Sequence, residues 1–463
     1  MSADSTGNRW WEQFAKHKRG KPAAKQNADK GNRARRPVEQ KQPTAAEASL
    51  SGSQEAADSA PQVLPASVRR CPQPALVVQG RKSPQGLQIP VWIYDTAILG
   101  TSGNCADGET VAVFSKSGKF LGSAIFNSAS KIRARLFSYE MTSFDDDYVE
   151  HAIIRAWNRR RTHYDVNDSS RVVFSESDGL PGLIVDKLGD VLVIQSLTLA
   201  IERRLEVIIR TLRALFAPKA VVTRRDSPYR VREGLEVAEP EVVGELEQPL
   251  AVELDGVTYF CDPLHGQKTG MYLDQRLNRR LLVPFAAGKR VLDLFCHVGG
   301  WALAAAKAGA TRVLGVDSAS PALELARRAA SVAEWSHVEF VESDVFDFLE
   351  EKRNELAGSF DVVVCDPPAF AKSQKHLAEA ERAYLSLNYR AMKILPVGGL
   401  LVTCSCSQHL SEEHFQLILE TAARNARMRF QIVAVGGQPP DHPVLLGFPE
   451  SRYLKCVFLQ RIE

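Results

Sequence analysis

The stretch Val291-Leu292-Asp293-Leu294-Phe295-Cys296-His297-Val298-Gly299-Gly300-Trp301 decides the fold of this 463-residue chain. An apolar run ends in an acid, and a glycine pair follows before the pattern turns helical. Glycines at a strand-to-helix turn let a ligand come close to the backbone. A dinucleotide site calls for GxGxxG around a pyrophosphate. That spacing is absent, and Asp293 stands before the turn instead. A carboxylate there can meet a cationic amino group, as at the methionine end of S-adenosylmethionine. The plainer alternative is a tight turn with no ligand.

Outward from this stretch the pattern alternates regularly. Strands are expected at 289–295, 311–317, 338–343, 360–365, 398–404, 428–435 and 453–461. Helices are expected at 299–308, 320–333, 345–356, 376–394 and 411–426. Strands alternating with helices imply an α/β, doubly wound, mostly parallel seven-stranded sheet. Only a loop separates the last two strands, so they are expected to pair antiparallel at one edge, as in class I methyltransferases.

Ligands of such sheets sit at the carboxyl ends of the strands. The second strand ends at Asp317, about twenty-four residues after Asp293, where an acid can accept both ribose hydroxyls. The third ends in Glu342-Ser343-Asp344, where a carboxylate can take an adenine amino group. Either acid alone is equally readable as a helix N-cap; three acids at three successive strand ends point to a nucleoside cofactor. The fourth strand ends Cys365-Asp366-Pro367-Pro368-Ala369-Phe370. Two prolines stiffen the chain and hold the carboxylate beside a reacting base, and Phe370 can stack on that base or serve as a core aromatic. Cys365 reads as buried and inert.

The fifth strand runs Leu400 to Ser407 through Cys404 and Cys406. A thiol at a strand end facing the cofactor suits methylation at carbon 5 of a pyrimidine, because that carbon becomes nucleophilic only after a thiolate adds to carbon 6. Cys404 and Cys406 point the same way if the strand continues, so spacing does not choose between them. Before the domain, His265-Gly266-Gln267-Lys268-Thr269-Gly270-Met271-Tyr272-Leu273-Asp274-Gln275-Arg276 reads as a loop and helix start beside a ligand, or as a structured linker. The cofactor set is therefore Asp293, Phe295, Gly299, Gly300, Asp317 and Asp344, with Lys268, Gln275 and Arg276 from this loop.

Upstream, four regions are expected: a disordered basic tail (1–72), a small β-rich domain (73–145), an α+β domain (146–255) and the catalytic domain (256–463). Residues 1–41 hold eleven Lys/Arg and four Asp/Glu, which leaves 47 and 51 for the rest. The body is not globally basic, so a nucleic-acid partner has to be met by local patches. One candidate is Lys131-Ile132-Arg133-Ala134-Arg135-Leu136. Alternation puts Lys131, Arg133 and Arg135 on one face, as an RNA-backbone contact or a plain solvated face. The eight cysteines are scattered without a CxxC pair, which argues against a zinc site or disulfide framework and fits a reducing cytoplasm. No membrane span or secretory signal is readable, and no metal is expected.

These segments together resemble the bacterial 23S ribosomal RNA 5-methylcytidine methyltransferases with an N-terminal PUA domain. The resemblance spans about 73–463. It rests on Glu176-Ser177-Asp178-Gly179-Leu180-Pro181-Gly182, Gly266 to Arg276, Gly299-Gly300, Val316-Asp317, Asp344-Val345-Phe346, Asp366 to Phe370 and Ser405-Cys406-Ser407. It implies a PUA domain that binds RNA, S-adenosylmethionine as cofactor, 23S RNA as partner, and Cys406 as nucleophile. Asp366 would bond the base near its ring nitrogen and amino group, with Pro367, Pro368 and Phe370 beside it. A homodimer is allowed. The alternatives are transfer to uridine carbon 5, transfer to an exocyclic amine that needs no cysteine, and an RNA-binding assembly factor without catalysis.

Overall fold

The computed structural model describes residues 64–83, 86–88, 90–371 and 374–463. The expected tail lies outside them up to residue 63. Residues 64–72, assigned above to that tail, belong to the folded body: Ala66–Arg69 is a helical turn whose Val68 is fully buried against Ala75, Val77, Ala112 and Phe114.

The first domain is a six-stranded sheet in the order 92–94, 132–138, 120–126, 110–115, 75–78, 98–102. The strand Ile98–Ser102 was not expected from sequence; it is short and carries Gly100 and Thr101. The central domain is a five-stranded sheet in the order 241–244, 220–224, 191–196, 183–188, 170–174. The apolar run 183–197 is two strands joined at Gly189-Asp190 rather than one. Both faces of this sheet are buried, which explains the unbroken apolar run. Leu192, Ile194 and Val221 pack under the helices Asp146–Arg160 and Leu205–Phe216. Their alternates Val191, Val193, Ala220 and Val222 join the core of the catalytic domain.

The boundary expected at 255/256 falls inside a hairpin, Leu250–Leu254 with Val257–Cys261. Its turn, Asp255-Gly256, has two successive positive φ angles (54° and 73°), the geometry that Asp-Gly adopts readily. Leu250, Val252, Leu254, Val257 and Tyr259 all sit in the catalytic core, so that core begins near 250.

In the catalytic domain the strands are β1 (Arg290–Leu294), β2 (Arg312–Asp317), β3 (Val338–Glu342), β4 (Val362–Cys365), β5 (Leu400–Ser405), β6 (Phe430–Gly436) and β7 (Lys455–Arg461). The helices are α1 (Arg276–Ala286), α2 (Gly300–Lys307), α3 (Ser320–Val332), α4 (Val345–Glu351), α5 (Leu377–Ile394) and α6 (Glu412–Ala426). The sheet order is β3-β2-β1-β4-β5-β7-β6. Strands β3, β2, β1, β4 and β5 pair in parallel, and β7 is antiparallel to both β5 and β6. The doubly wound sheet read from the sequence is therefore what forms, with β7 inserted between β5 and β6. Among the described residues no helix is long and apolar enough to cross a membrane.

The domains are clamped by buried charge. Arg135 bridges Glu176 (2.9 Å) and Glu233 (2.8 Å). Glu233 also accepts from Ser130 (2.7 Å) and Asn127 (3.0 Å), and Trp92 donates to Glu176 (2.7 Å). This corrects the expectation for the basic strand face. The Arg135 guanidinium is consumed by the clamp, and Arg133 donates to the Ser128 carbonyl. Of the three cations, Lys131 is the exposed one. Glu233→Ala removes the acceptor of three buried donors and is expected to cost about 3 kcal/mol of stability. Urea denaturation of the full chain checks this; a change within experimental error contradicts the clamp.

Candidate active site

The turn after β1 is built around a buried carboxylate. Asp293 is fully buried; one oxygen accepts the Ala302 N–H at the start of α2 (2.9 Å), and the other, Oδ1, has no partner. Burial pushes its carboxyl well above the usual range, and the nearby Asp366 and Asp317 push the same way. A site short of positive charge in this manner fits a cationic amine. The turn itself is held in an uncommon shape: Phe295, His297 and Gly299 all have positive φ (65°, 49° and 80°), a strain typical of ligand sites when it falls on non-glycine residues. At Gly299 a Cβ would come within 3.1 Å of Phe340 and 3.2 Å of Ala326, so this glycine is required by helix–sheet packing as well as by its backbone.

Asp317 ends β2 and accepts from the His297 N–H (2.9 Å) and the Ala319 N–H (2.8 Å). That ties it to the glycine turn. Asp344 caps α4, accepting from Phe346 (2.8 Å) and Asp347 (3.1 Å), which is the plainer of its two readings. The rings of Phe295, Phe346 and Phe370 lie 6.2–6.4 Å apart and line the ends of β1, β3 and β4. A buried carboxylate lacking a partner, a left-handed glycine turn and an apolar ring wall fit the amine, the backbone approach and the base of S-adenosylmethionine.

The three loop residues assigned to the cofactor each hold a partner within the chain. Arg276 is bound to Asp255 (2.8 Å) in the hairpin turn and to the Ser169 carbonyl (3.2 Å). Gln275 donates to both oxygens of Asp366 (2.9 Å each). Lys268 pairs with the buried Asp274 (2.5 Å) and lies over the Tyr272 ring at 4.3 Å. Gly300 packs against Arg279, whose Nη1 would lie 2.9 Å from an added Cβ. The loop's glycines have a packing reason: a Cβ at Gly266 or Gly270 would come within 2.4 or 2.6 Å of the Asp262 carbonyl.

The decisive juxtaposition is between β4 and β5. Asp366 accepts from Trp301 Nε1 (2.9 Å) and Gln275, and burial pushes its carboxyl up to about 6. Pro367 is buried, Pro368 exposed and Phe370 half-buried against Tyr384 (4.8 Å). The Cys406 sulfur lies 3.9 Å from the Pro367 carbonyl oxygen. Ser405 and Ser407 turn the other way and both meet the Tyr384 hydroxyl, at 3.0 and 3.1 Å. Cys404 is fully buried opposite Cys456, which separates the two cysteines that spacing alone could not. Tyr384, Trp301, Asp274 and Lys455 were not singled out from the sequence. Tyr384 and Lys455 carry no local signal, since each lies in an ordinary helix or strand pattern. Among the described residues no group of three or more metal-ligating side chains forms.

A fold of this order with acids at successive strand ends defines a class I methyltransferase, and comparison with known proteins agrees. Residues 177–450 match the S-adenosylmethionine-dependent methyltransferase family, and residues 78–139 match a PUA-like domain. The cofactor is S-adenosylmethionine. A methyltransferase crystallised with SAH superposes with a TM-score of 0.68 at 21% identity, over 78% of this chain and 93% of that one; this likeness concerns the fold. Among curated proteins, ribosomal RNA large subunit methyltransferase I of Aeromonas hydrophila is 36% identical, over 82% of this chain and 97% of that protein. The same protein of Escherichia coli O139:H28 is 35% identical, over 79% and 93%. The chain belongs to the ribosomal RNA large subunit methyltransferase I family.

Proposed function

We propose that this protein methylates carbon 5 of a cytidine in 23S ribosomal RNA, in the cytoplasm, through a covalent adduct on Cys406. The observation that carries the reading is the Cys406 sulfur 3.9 Å from the carbonyl of Pro367, beside Asp366. When bound, S-adenosylmethionine supplies the methyl group. The sulfur of Cys406 bonds to carbon 6, and the electron pair of the 5,6 double bond becomes available at carbon 5. Asp366 in its protonated form gives a proton to the ring nitrogen, which accepts the charge that addition creates. After methylation carbon 5 loses its proton to a base, the double bond reforms as the sulfur–carbon bond breaks, and the ring nitrogen returns its proton to Asp366. The rigid Pro367-Pro368 pair keeps carboxyl and thiol in one geometry throughout.

Burial pushes the Cys406 thiol up to about 11; Lys268 pulls it down, while Asp366 and Asp274 push it up. At neutral pH the free enzyme therefore holds a thiol, and attack needs a proton acceptor. The adduct is testable with RNA containing 5-fluorocytidine, because carbon 5 then has no proton to lose and the complex stays linked. A denaturation-resistant protein–RNA band that maps to Cys406 is expected. Methyl transfer with no such band contradicts the covalent step.

A further inference from the structure

Arg279 sits one turn along α1 from Arg276 and is 4% exposed. Its guanidinium lies against the start of α2, where a Cβ at Gly300 would come within 2.9 Å of Nη1. Only a glycine leaves room for it there. Nη1 donates to the Tyr272 carbonyl (3.2 Å). The Tyr259 ring packs on the guanidinium at 5.8 Å, and the Tyr259 hydroxyl donates to the Gly300 carbonyl (3.3 Å). Nη2 is buried with no hydrogen-bond partner. The other arginines buried among the described residues, such as Arg171 on Asp186 and Arg276 on Asp255, each hold a carboxylate. Arg279 holds none among the described residues. A buried cation without a counter-charge is costly.

The same helix start carries the opposite deficit. Asp293 gives one oxygen to the Ala302 N–H, and its Oδ1 has no partner. An unmatched anion at Ala302 and an unmatched cation at Gly300 thus stand on the first turn of α2, and no ion pair joins them. Opposite charges that a fold brings to one turn without pairing them fit a ligand that carries both charges itself.

We propose that Arg279 binds the carboxylate at the methionine end of S-adenosylmethionine, while Asp293 takes the amine of the same group. A guanidinium is a planar fork that matches a carboxylate and stays charged. The Tyr272 carbonyl and the Tyr259 ring hold the fork in place before any ligand arrives, so little ordering is left to binding. The N-terminus of α2 favours the same negative charge. The inference concerns the cofactor alone, and it stands whichever nucleoside receives the methyl group and whether or not Cys406 is the nucleophile.

The test is calorimetric titration of the full chain with two probes. One is SAH; the other is decarboxylated SAH, which keeps the amine and lacks only the carboxylate. The unmutated protein is expected to bind SAH more tightly by roughly tenfold or more. In Arg279→Gln the affinity for SAH falls to that for the decarboxylated probe, which itself binds as before, so the discrimination disappears. Arg279→Lys keeps the charge without the fork and retains part of the discrimination. Equal affinity for the two probes in the unmutated protein overturns the proposal, and that arm needs no variant to fold. Discrimination that survives in Arg279→Gln overturns it too. That includes the case in which both probes weaken by the same factor, which marks a support of the turn rather than a ligand contact.

Discussion

Cys406→Ala abolishes methyl transfer, a loss on the order of 10⁴-fold or more, while the protein melts within a degree or two of the unmutated chain. The size follows from chemistry: without sulfur at carbon 6, carbon 5 is not nucleophilic enough to take the methyl group, and binding and orientation alone remain. The small effect on stability follows from structure. Cys406 is partly exposed and outside the strand, whereas the fold around it is anchored by Ser405 and Ser407 on Tyr384. Single-turnover assays with large-subunit RNA and calorimetry measure both. Retained transfer would redirect the reading to an exocyclic amine, which needs no thiol.

Asp366→Asn is expected to slow methyl transfer by about 100-fold and to stabilise the folded protein above pH 6. Burial raises this carboxyl to about 6, above its ordinary value of 3.8. Between those values the folded chain binds more protons than the unfolded one, so stability contributed at low pH is lost as pH rises through 6. Asparagine carries no charge to bury. With partial exposure discounted, the variant should gain about 1–2 kcal/mol at pH 8 and nothing at pH 3. Urea denaturation at the two pH values separates the outcomes. Lower activity with higher stability marks a group kept for chemistry; lower stability at pH 8 would make Asp366 a structural anchor instead.

The catalytic sheet was legible because buried parallel strands are continuous apolar runs, as in Val362–Cys365 and Leu400–Ser405, and their acids fall where the runs stop. Asp293, Asp317 and Asp366 could be picked out for that reason, whereas the strand pattern left Cys404 and Cys406 undivided and only the family resemblance pointed to Cys406. Partnerships across the chain could not be picked out. Alternation placed Arg135 on a polar face, but its partners Glu176 and Glu233 lie 41 and 98 residues away. Arg276 sits in a loop that looks ligand-facing, yet its guanidinium closes on Asp255, 21 residues upstream. Lys455 begins an apolar strand and reads as an ordinary strand start; only the fold reveals that it meets Ser407, 48 residues before it. The hairpin Leu250–Cys261 joined the catalytic core because its alternating residues need a face to bury, and no local signal says which neighbouring domain provides it.

The central claim is that this site makes 5-methylcytidine in 23S ribosomal RNA, and nucleoside-resolved mass spectrometry of that RNA tests it most directly. RNA from cells lacking the gene is compared with RNA from cells that carry it. The account predicts that one 5-methylcytidine disappears with the gene and returns with the unmutated protein. If every 5-methylcytidine persists and a different methylated nucleoside is lost instead, the account is contradicted.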